Sequence, residues 1–207
     1  MQQPKNWSCL VFVCVCFVAA VLTGCEKNET CIMPANVSLE EGDIVFRRGG
    51  GFTSHAVLVG DHGGQYSHVG IVAEEGGRKM IVHAVPGEPD FDGDPDRVKM
   101  DTPEVFFSSL KTNIGEVCRV ADKATARRAA HKALEVYRRN TLFDHDYDDR
   151  DTTRMYCTEL ISYVYRCAGM PLVGKERHRV DLPMLHADVL YPSDIYHSKK
   201  LKTVFNF

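Results

Sequence analysis

The sequence has no excess of basic residues, since 25 Lys and Arg stand against 28 Asp and Glu, for a formal net charge of −3. No segment combines Lys and Arg with aromatic residues, so we expect no binding to nucleic acid. Long apolar runs are also scarce. Only one occurs, at the N-terminus, which excludes a polytopic membrane protein. Hydrophobic residues at 44% and charged residues at 26% are ordinary for a soluble globular domain.

Several motifs that carry known chemistry are missing. There is no Cys-x-x-Cys pair, no His-Glu-x-x-His and no Gly-x-Ser-x-Gly. The triplet Gly49-Gly50-Gly51 lacks the Gly-Lys-Ser/Thr ending of a phosphate-binding loop, and the acidic run 144–151 does not match an EF-hand. A zinc site built from His55, His62 and His68 remains an alternative, but we predict neither a metal nor a cofactor.

The N-terminal residues 1–24 resemble a bacterial lipoprotein signal peptide. The apolar stretch from Cys9 to Leu22 is short for a spanning helix, which needs roughly 20 apolar residues. It ends in Leu22-Thr23-Gly24-Cys25, which resembles a lipobox, and a polar segment follows. The resemblance implies lipidation at Cys25, a lipidated tether over residues 25–38, and a membrane-anchored location in the bacterial cell envelope. An ordinary cleaved signal or an uncleaved anchor is the alternative.

Residues 39–207 have the pattern of one α+β domain. Turn signals separate β-rich runs, and two segments have helical periodicity and clear stop signals. The predicted strands are residues 43–46, 67–73, 79–85 and 116–121, and the predicted helices are 52–59, 124–139 and 156–168. Strands clustered before a late helix favour α+β over a parallel βαβ sheet.

Four cysteines follow Cys25 in the chain, namely Cys31, Cys118, Cys157 and Cys167. An oxidising compartment would allow one disulfide among them, and its connectivity cannot be read from sequence.

Two histidines stand inside apolar strands, His68 in Ser67–Val72 and His83 in Met80–Val85. An ionisable ring in such a place must be hydrogen-bonded or functional. On neighbouring antiparallel strands both rings can point to one face, so we expect them to lie together. Two purely structural histidines are the alternative.

Cys157 begins a predicted helix that Thr152 or Thr153 can cap. The helix N-terminus and a nearby His68 predict a thiol pKa below its ordinary value of ~8.5. Thiol, histidine and a second polar group together make a nucleophile, a base and an orienting residue. A buried structural cysteine fits the same spacing.

These residues resemble the NlpC-type cysteine amidases. The matching motifs are Gly42-Asp43-Ile44-Val45-Phe46, Ser67-His68-Val69-Gly70-Ile71, Val82-His83-Ala84 and Tyr156-Cys157-Thr158-Glu159-Leu160-Ile161. Because the cysteine follows the histidines, the order is that of the circularly permuted, YiiX/YebB-like branch of papain-like hydrolases. The resemblance implies a papain-like fold with an antiparallel sheet packed against helices and the nucleophile helix near the C-terminus.

The same resemblance implies Cys157 as nucleophile, His68 as base and His83 as orienter, acting through a thioester. It offers two substrate classes, peptidoglycan peptides and lipid-linked acyl groups. The permuted branch commonly has a glutamate at the position of His83. An aromatic-Asp motif that often starts with tyrosine here starts with Phe143, which leaves open whether Tyr147 supplies the missing hydroxyl. A non-catalytic envelope binding module on the same fold is the alternative function.

Overall fold

The computed structural model describes residues 29–182 and 185–207. Residues 1–24 and Cys25, the predicted signal peptide and lipidation site, lie outside the described residues. The strands are β1 (Ile44–Arg48), β2 (His68–Glu75), β3 (Arg78–Val85), β4 (Arg97–Asp101), β5 (Ile114–Val120), β6 (Leu142–Phe143), β7 (Arg154–Met155), β8 (His178–Leu182), β9 (Leu185–Val189) and β10 (Leu201–Asn206). The helices are α1 (Phe52–Gly60), α2 (Pro103–Phe106), α3 (Lys123–Arg138), α4 (Cys157–Cys167) and α5 (Pro192–Tyr196). Of the helices in these two ranges, none has the length and apolar character that crossing a membrane requires.

Eight of the strands form one sheet in the order β10-β5-β1-β2-β3-β4-β6-β7, and β8 and β9 form a separate hairpin. Neighbours in the large sheet are antiparallel except β6 and β7, which are parallel. The predicted α+β fold with an antiparallel sheet is therefore confirmed. Helices α2 and α5, strands β4, β6, β7 and β10 and the hairpin β8–β9 were not predicted.

Helices α3 and α4 pack against β2 on one face of the sheet. Helix α3 begins after Asp122, whose carboxylate accepts hydrogen bonds from the backbone N–H groups of Ala124 and Thr125 at 3.0 and 3.2 Å. Its buried face includes four alanines, which let the helix approach the sheet closely. They are Ala126, Ala129, Ala130 and Ala133. Both helices agree with the prediction to within one residue at each end.

The opposite face of the sheet is covered by Phe106 and Phe107 and by the N-terminal segment. The backbone N–H of Ile32 donates to the carbonyl of Phe107 at 2.9 Å. The apolar side chains of Ile32, Met33 and Val37 pack against the same core. Part of the predicted tether, residues 25–38, is therefore docked on the domain, because its apolar residues have a surface to cover.

All four cysteines of the described chain are free, so the possible disulfide is not formed in this structure. Burial raises the pKa of the Cys118 thiol to about 12, and the neighbouring Glu116 carboxylate adds to the shift. Cys167 is exposed at the end of α4.

Candidate active site

A cavity of about 1140 Å³ lies among α1, the β8–β9 hairpin and the start of α4. Its wall includes Cys157, His68, Arg47, Glu88 and Tyr147. Two of the three residues predicted to be catalytic thus line one cavity.

Cys157 is the first residue of helix α4, and Tyr156 is the residue that precedes the first helical turn, with extended backbone angles. The predicted capping by Thr152 or Thr153 is wrong, since Tyr156 is the cap residue and the Thr153 hydroxyl donates to the Asp151 carboxylate at 2.7 Å. The first N–H groups of a helix have no intrahelical partner. They are therefore available beside the thiol.

His68 and His83 lie on the antiparallel strands β2 and β3 and are hydrogen-bonded to each other. Nε2 of His68 and Nδ1 of His83 are 2.9 Å apart, and the ring planes cross at 78°. His68 is 8% exposed at the cavity, whereas His83 is completely buried. The two rings lie together, as expected. His68 is at the cavity, and His83 is buried behind it.

Gly70 makes room for this pair. A Cβ atom at position 70 would lie 2.7 Å from Cγ2 of Ile81, and 3.3 Å from both Cβ of His83 and the Phe106 ring. A larger residue would clash with Ile81 and crowd His83 and Phe106. The glycine in Ser67-His68-Val69-Gly70 therefore keeps space free beside the histidine pair.

Asp101, on β4, continues the chain of hydrogen bonds and was missed by the sequence analysis. Its Oδ2 atom is 3.2 Å from Nε2 of His83, and Nζ of Lys99 lies 3.4 Å from its Oδ1 atom. Asp101 is only 5% exposed. The alternation of Lys99, Met100 and Asp101 in a β-like run was the available signal. The pairing of β4 with β3 across the loop 86–96 cannot be read from it.

The charges around this series of hydrogen bonds, from His68 through His83 to Asp101, determine which ring nitrogens carry protons. Burial would raise the pKa of Asp101, but the hydrogen bond from His83 and the Lys99 ammonium lower it to about 2. The carboxylate therefore only accepts hydrogen bonds, and His83 donates to it from Nε2–H. Burial also lowers the pKa of His83, with partial opposition from Asp101, so the ring is neutral and its Nδ1 atom is an acceptor.

His68 must then donate from Nε2–H to His83, which leaves its Nδ1 atom without a proton. Burial, the Arg47 guanidinium and His83 hold the pKa of His68 well below 6.5. At neutral pH the ring is consequently uncharged, and its free nitrogen has the electronic form of a general base.

The predicted low pKa of Cys157 is wrong for this structure. Burial raises the pKa of the thiol to about 11, although the backbone N–H groups of Val69, Thr158 and Cys157 itself act in the opposite direction. The neutral His68 ring contributes no positive charge to stabilise a thiolate. In the resting enzyme thiol and imidazole are therefore both neutral.

The aromatic-Asp motif supports the wall of the cavity. Phe143 is buried and its ring lies 6.2 Å from that of Tyr147, which in turn packs on Tyr156 at 5.2 Å. The Asp144 carboxylate accepts the backbone N–H groups of residues 146 and 148, which explains the acidic run as a turn. Burial raises the pKa of Tyr147, so its hydroxyl remains a protonated donor at the cavity.

The chain's histidines and acids do not form a metal centre in the part that the structure describes. No group of three or more His, Cys, Asp or Glu residues there is arranged to hold a metal ion. His55 and His62 line the cavity with His68, but they do not form such a group with it. The zinc alternative has no support in these ranges.

Comparison with known families agrees with this geometry. Residues 38–205 match the model of the family described as "Permuted papain-like amidase enzyme, YaeF/YiiX, C92 family". The chain belongs to this family. As a member of the permuted papain-like amidases it is a cysteine hydrolase, and helix α4, which begins at Cys157, follows the histidine-bearing strands, in keeping with the permuted order.

Among solved structures, the permuted papain-like fold is also found in a similar chain from Escherichia coli O157:H7, whose title calls it the metalloprotein YiiX. The TM-score is 0.63 at 20% sequence identity, over 81% of this chain and 97% of that chain. At this identity the likeness shows the fold. Among curated proteins, none matches this chain.

Proposed function

We propose that this chain is a cell-envelope cysteine hydrolase, an amidase or an acyl hydrolase or acyltransferase, in which Cys157 forms a thioester with the substrate's acyl group. His68 is the base, His83 orients it, and Asp101 sets the protonation of His83. One observation carries the proposal, namely the buried hydrogen-bonded chain from His68 to His83 to Asp101, which ends at the cavity that Cys157 lines.

In the proposed reaction, Sγ of Cys157 forms a bond to the carbonyl carbon while the thiol proton moves to Nδ1 of His68. The proton moves in step with C–S bond formation, because thiol and imidazole are neutral at rest. The tetrahedral intermediate collapses by breaking the bond to the leaving amine or alcohol, which receives the proton from His68. Water, or an acceptor nucleophile, then attacks the thioester and regenerates the thiol.

Two donors are available for the negative charge that develops on the carbonyl oxygen. The backbone N–H of Cys157 is at the helix N-terminus, and the Tyr147 hydroxyl stays protonated at the cavity wall. We assign the oxyanion to these two groups.

The experiment that tests the function is mass spectrometry of cell-wall fragments and lipids incubated with the wild-type protein and with its Cys157→Ala variant. We expect a hydrolysed or transferred acyl product that forms only with the wild type. A product that forms equally with both proteins would contradict a Cys157 nucleophile.

The first prediction concerns pH. Because the pKa of His68 lies well below 6.5, kcat/KM for a neutral ester should decrease only below pH 6.5, where His68 becomes protonated. Because the pKa of the thiol is about 11, kcat/KM should not fall as the pH rises towards alkaline values. A resting thiolate–imidazolium pair predicts otherwise, since deprotonation of its imidazolium would lower the rate at alkaline pH. A decline of kcat/KM between neutral pH and about pH 9 would contradict the neutral pair.

The second prediction concerns the membrane anchor, which we propose from Leu22-Thr23-Gly24-Cys25. Fatty-acid labelling of cells should mark the wild-type protein, and Cys25→Ala should abolish the label, because the thioether sulfur is lost. Cys31→Ala is the matched control and should keep the label, since Cys31 is packed on the domain. Equal labelling of the Cys25→Ala protein would refute lipidation at this residue.

A further inference from the structure

Arg47 is a charged residue that is buried directly beside His68. The two residues are opposite each other on β1 and β2, in the register that pairs Arg47 with His68. The Cβ atoms of such cross-strand partners lie about 4.5–5.5 Å apart on one face of the sheet. Arg47 is only 3% exposed. Because an arginine side chain stays protonated in proteins, a full positive charge is enclosed next to the base.

The Arg47 side chain also holds the ring that backs both histidines. Its Nη1 atom donates to the carbonyl oxygen of Phe106 at 2.9 Å, and its Cζ atom lies 4.6 Å from the centroid of the Phe106 ring. The centroid of that ring is 5.7 Å from the centroid of the His68 ring and 5.1 Å from that of His83. Arg47 is therefore linked to the histidine pair by its charge and by its packing on Phe106.

Glu88 compensates part of this charge from the loop that follows β3. Nη2 of Arg47 donates to Oε1 of Glu88, and Nζ of Lys111 lies 2.9 Å from Oε2. Burial would raise the pKa of Glu88, but the charges of Arg47 and Lys111 hold it below its ordinary value, so the side chain is a carboxylate. One carboxylate thus faces two cations, and the group keeps an excess of positive charge beside His68.

The ionisable groups around His68 come from several elements. They are Arg47 on β1, His83 on β3, Glu88 in the loop 86–96, Lys111 in the segment before β5, Cys157 on α4 and, behind His83, Asp101 on β4. Burial lowers the pKa of His68 most, and among the charged groups Arg47 comes first, ahead of His83 and Lys111. Burial raises the pKa of the Cys157 thiol, and Arg47 acts against that shift. A positive charge at this place favours an unprotonated imidazole.

We propose that Arg47 is a positioning residue for the base, which keeps the His68 ring uncharged and packed against Phe106, while Glu88 limits the effect of its charge. The proposal rests on the proposed function, in which His68 must be unprotonated to accept the thiol proton. A buried ion pair often stabilises a protein no more than apolar residues of the same volume. Stability alone therefore does not explain why the Arg47–Glu88 pair is present.

The test measures the pH at which His68 takes up a proton, by nitrogen–proton NMR and by the acid inflection of kcat/KM for the neutral ester p-nitrophenyl acetate. In Arg47→Met, which removes the charge, the inflection should move to higher pH by about one unit. Arg47→Lys keeps the charge and should stay near the wild type. Glu88→Gln leaves Arg47 less compensated and should move the inflection to lower pH. An unmoved inflection in a folded Arg47→Met protein would overturn the proposal.

Arg48→Met is the matched control. It removes the same charge from the next residue of β1, which points to the other face of the sheet and lies outside the cavity wall. Its inflection should equal that of the wild type, and a shift as large as that of Arg47→Met would contradict a specific role of Arg47. A purely structural Arg47 predicts a lower melting temperature of Arg47→Met with an unmoved inflection.

A second variant covers the case in which Arg47→Met does not fold. Arg47→Met/Glu88→Gln removes the pair as a neutral unit, and its inflection should still lie above that of the wild type, because Arg47 is the nearer of the two charges. The wild-type inflection in this double variant would overturn the proposal. The NMR titration needs no turnover, so it tests Arg47 separately from the proposed function. Full activity of Cys157→Ala, with the expected titration of His68, would support the effect of Arg47 on His68 and contradict the proposed function.

Discussion

Replacing Cys157 with alanine is expected to lower kcat by at least about 10⁴-fold, which leaves only the catalysis that binding and the oxyanion donors provide. The reason is that no other group described in the cavity wall has a thiol, so no thioester can form. Steady-state kinetics on the ester or amide identified for the wild type measures this effect.

Cys167→Ala is the matched control, because Cys167 lies at the other end of the same helix and is exposed. Its kcat should equal that of the wild type. The melting temperature of Cys157→Ala should also stay close to that of the wild type, since only a sulfur atom at a cavity wall is removed. Substantial turnover by a folded Cys157→Ala protein would exclude the thioester mechanism.

Interrupting the hydrogen-bonded chain behind His68 should have the second-largest effect. In Asp101→Asn the amide can donate to Nε2 of His83, which shifts the His83 proton to Nδ1. His83 would then donate to His68, whose own proton would move to the nitrogen that must accept the thiol proton. We expect kcat to fall by about 10²–10⁴-fold, with a small change in stability because the two side chains have the same shape.

The readout that separates this role from a structural one is the tautomer of each ring. Nitrogen–proton correlation NMR should show His68 protonated at Nε2 in the wild type and at Nδ1 in Asp101→Asn. Asp92→Asn, an exposed aspartate outside the cavity wall, should change neither the tautomers nor kcat. Wild-type kcat in a folded Asp101→Asn protein would remove Asp101 from the mechanism.

Variants at His83, the middle residue of the His68–His83–Asp101 series, test the same hydrogen bonds. The amide of His83→Gln can accept from His68 and donate to Asp101, so this variant should retain part of the activity. His83→Glu would bury a second carboxylate beside Asp101 and should retain less. His83→Ala should lose about 10²–10⁴-fold in kcat and also lose stability, because His83 is completely buried and Asp101 would lose its partner. Activity per folded molecule, with the melting temperature, separates the two losses.

Local patterns were sufficient to predict the main elements and three of the residues now proposed to act. His68 and His83 stood out because an ionisable ring within an apolar strand requires a partner, and Cys157 because it begins an amphipathic helix. These arguments depend on neighbours within a few positions, which is the range over which secondary structure is determined. The predicted helix cap at Thr152 or Thr153 failed at the same range, because the cap residue is Tyr156 and the Thr153 hydroxyl binds Asp151 instead.

The sequence by itself thus determined the α+β class, the histidine pair, the helix that begins at Cys157 and the family. Only the tertiary structure decided that Asp101 joins His83, because β4 pairs with β3 across a loop of irregular sequence. It also decided the protonation of the site, since the pKa values of Cys157 and His68 depend on burial by distant segments. The exposure of the residues of α1 has the same origin, because the partners that a side chain meets depend on how remote parts of the chain pack.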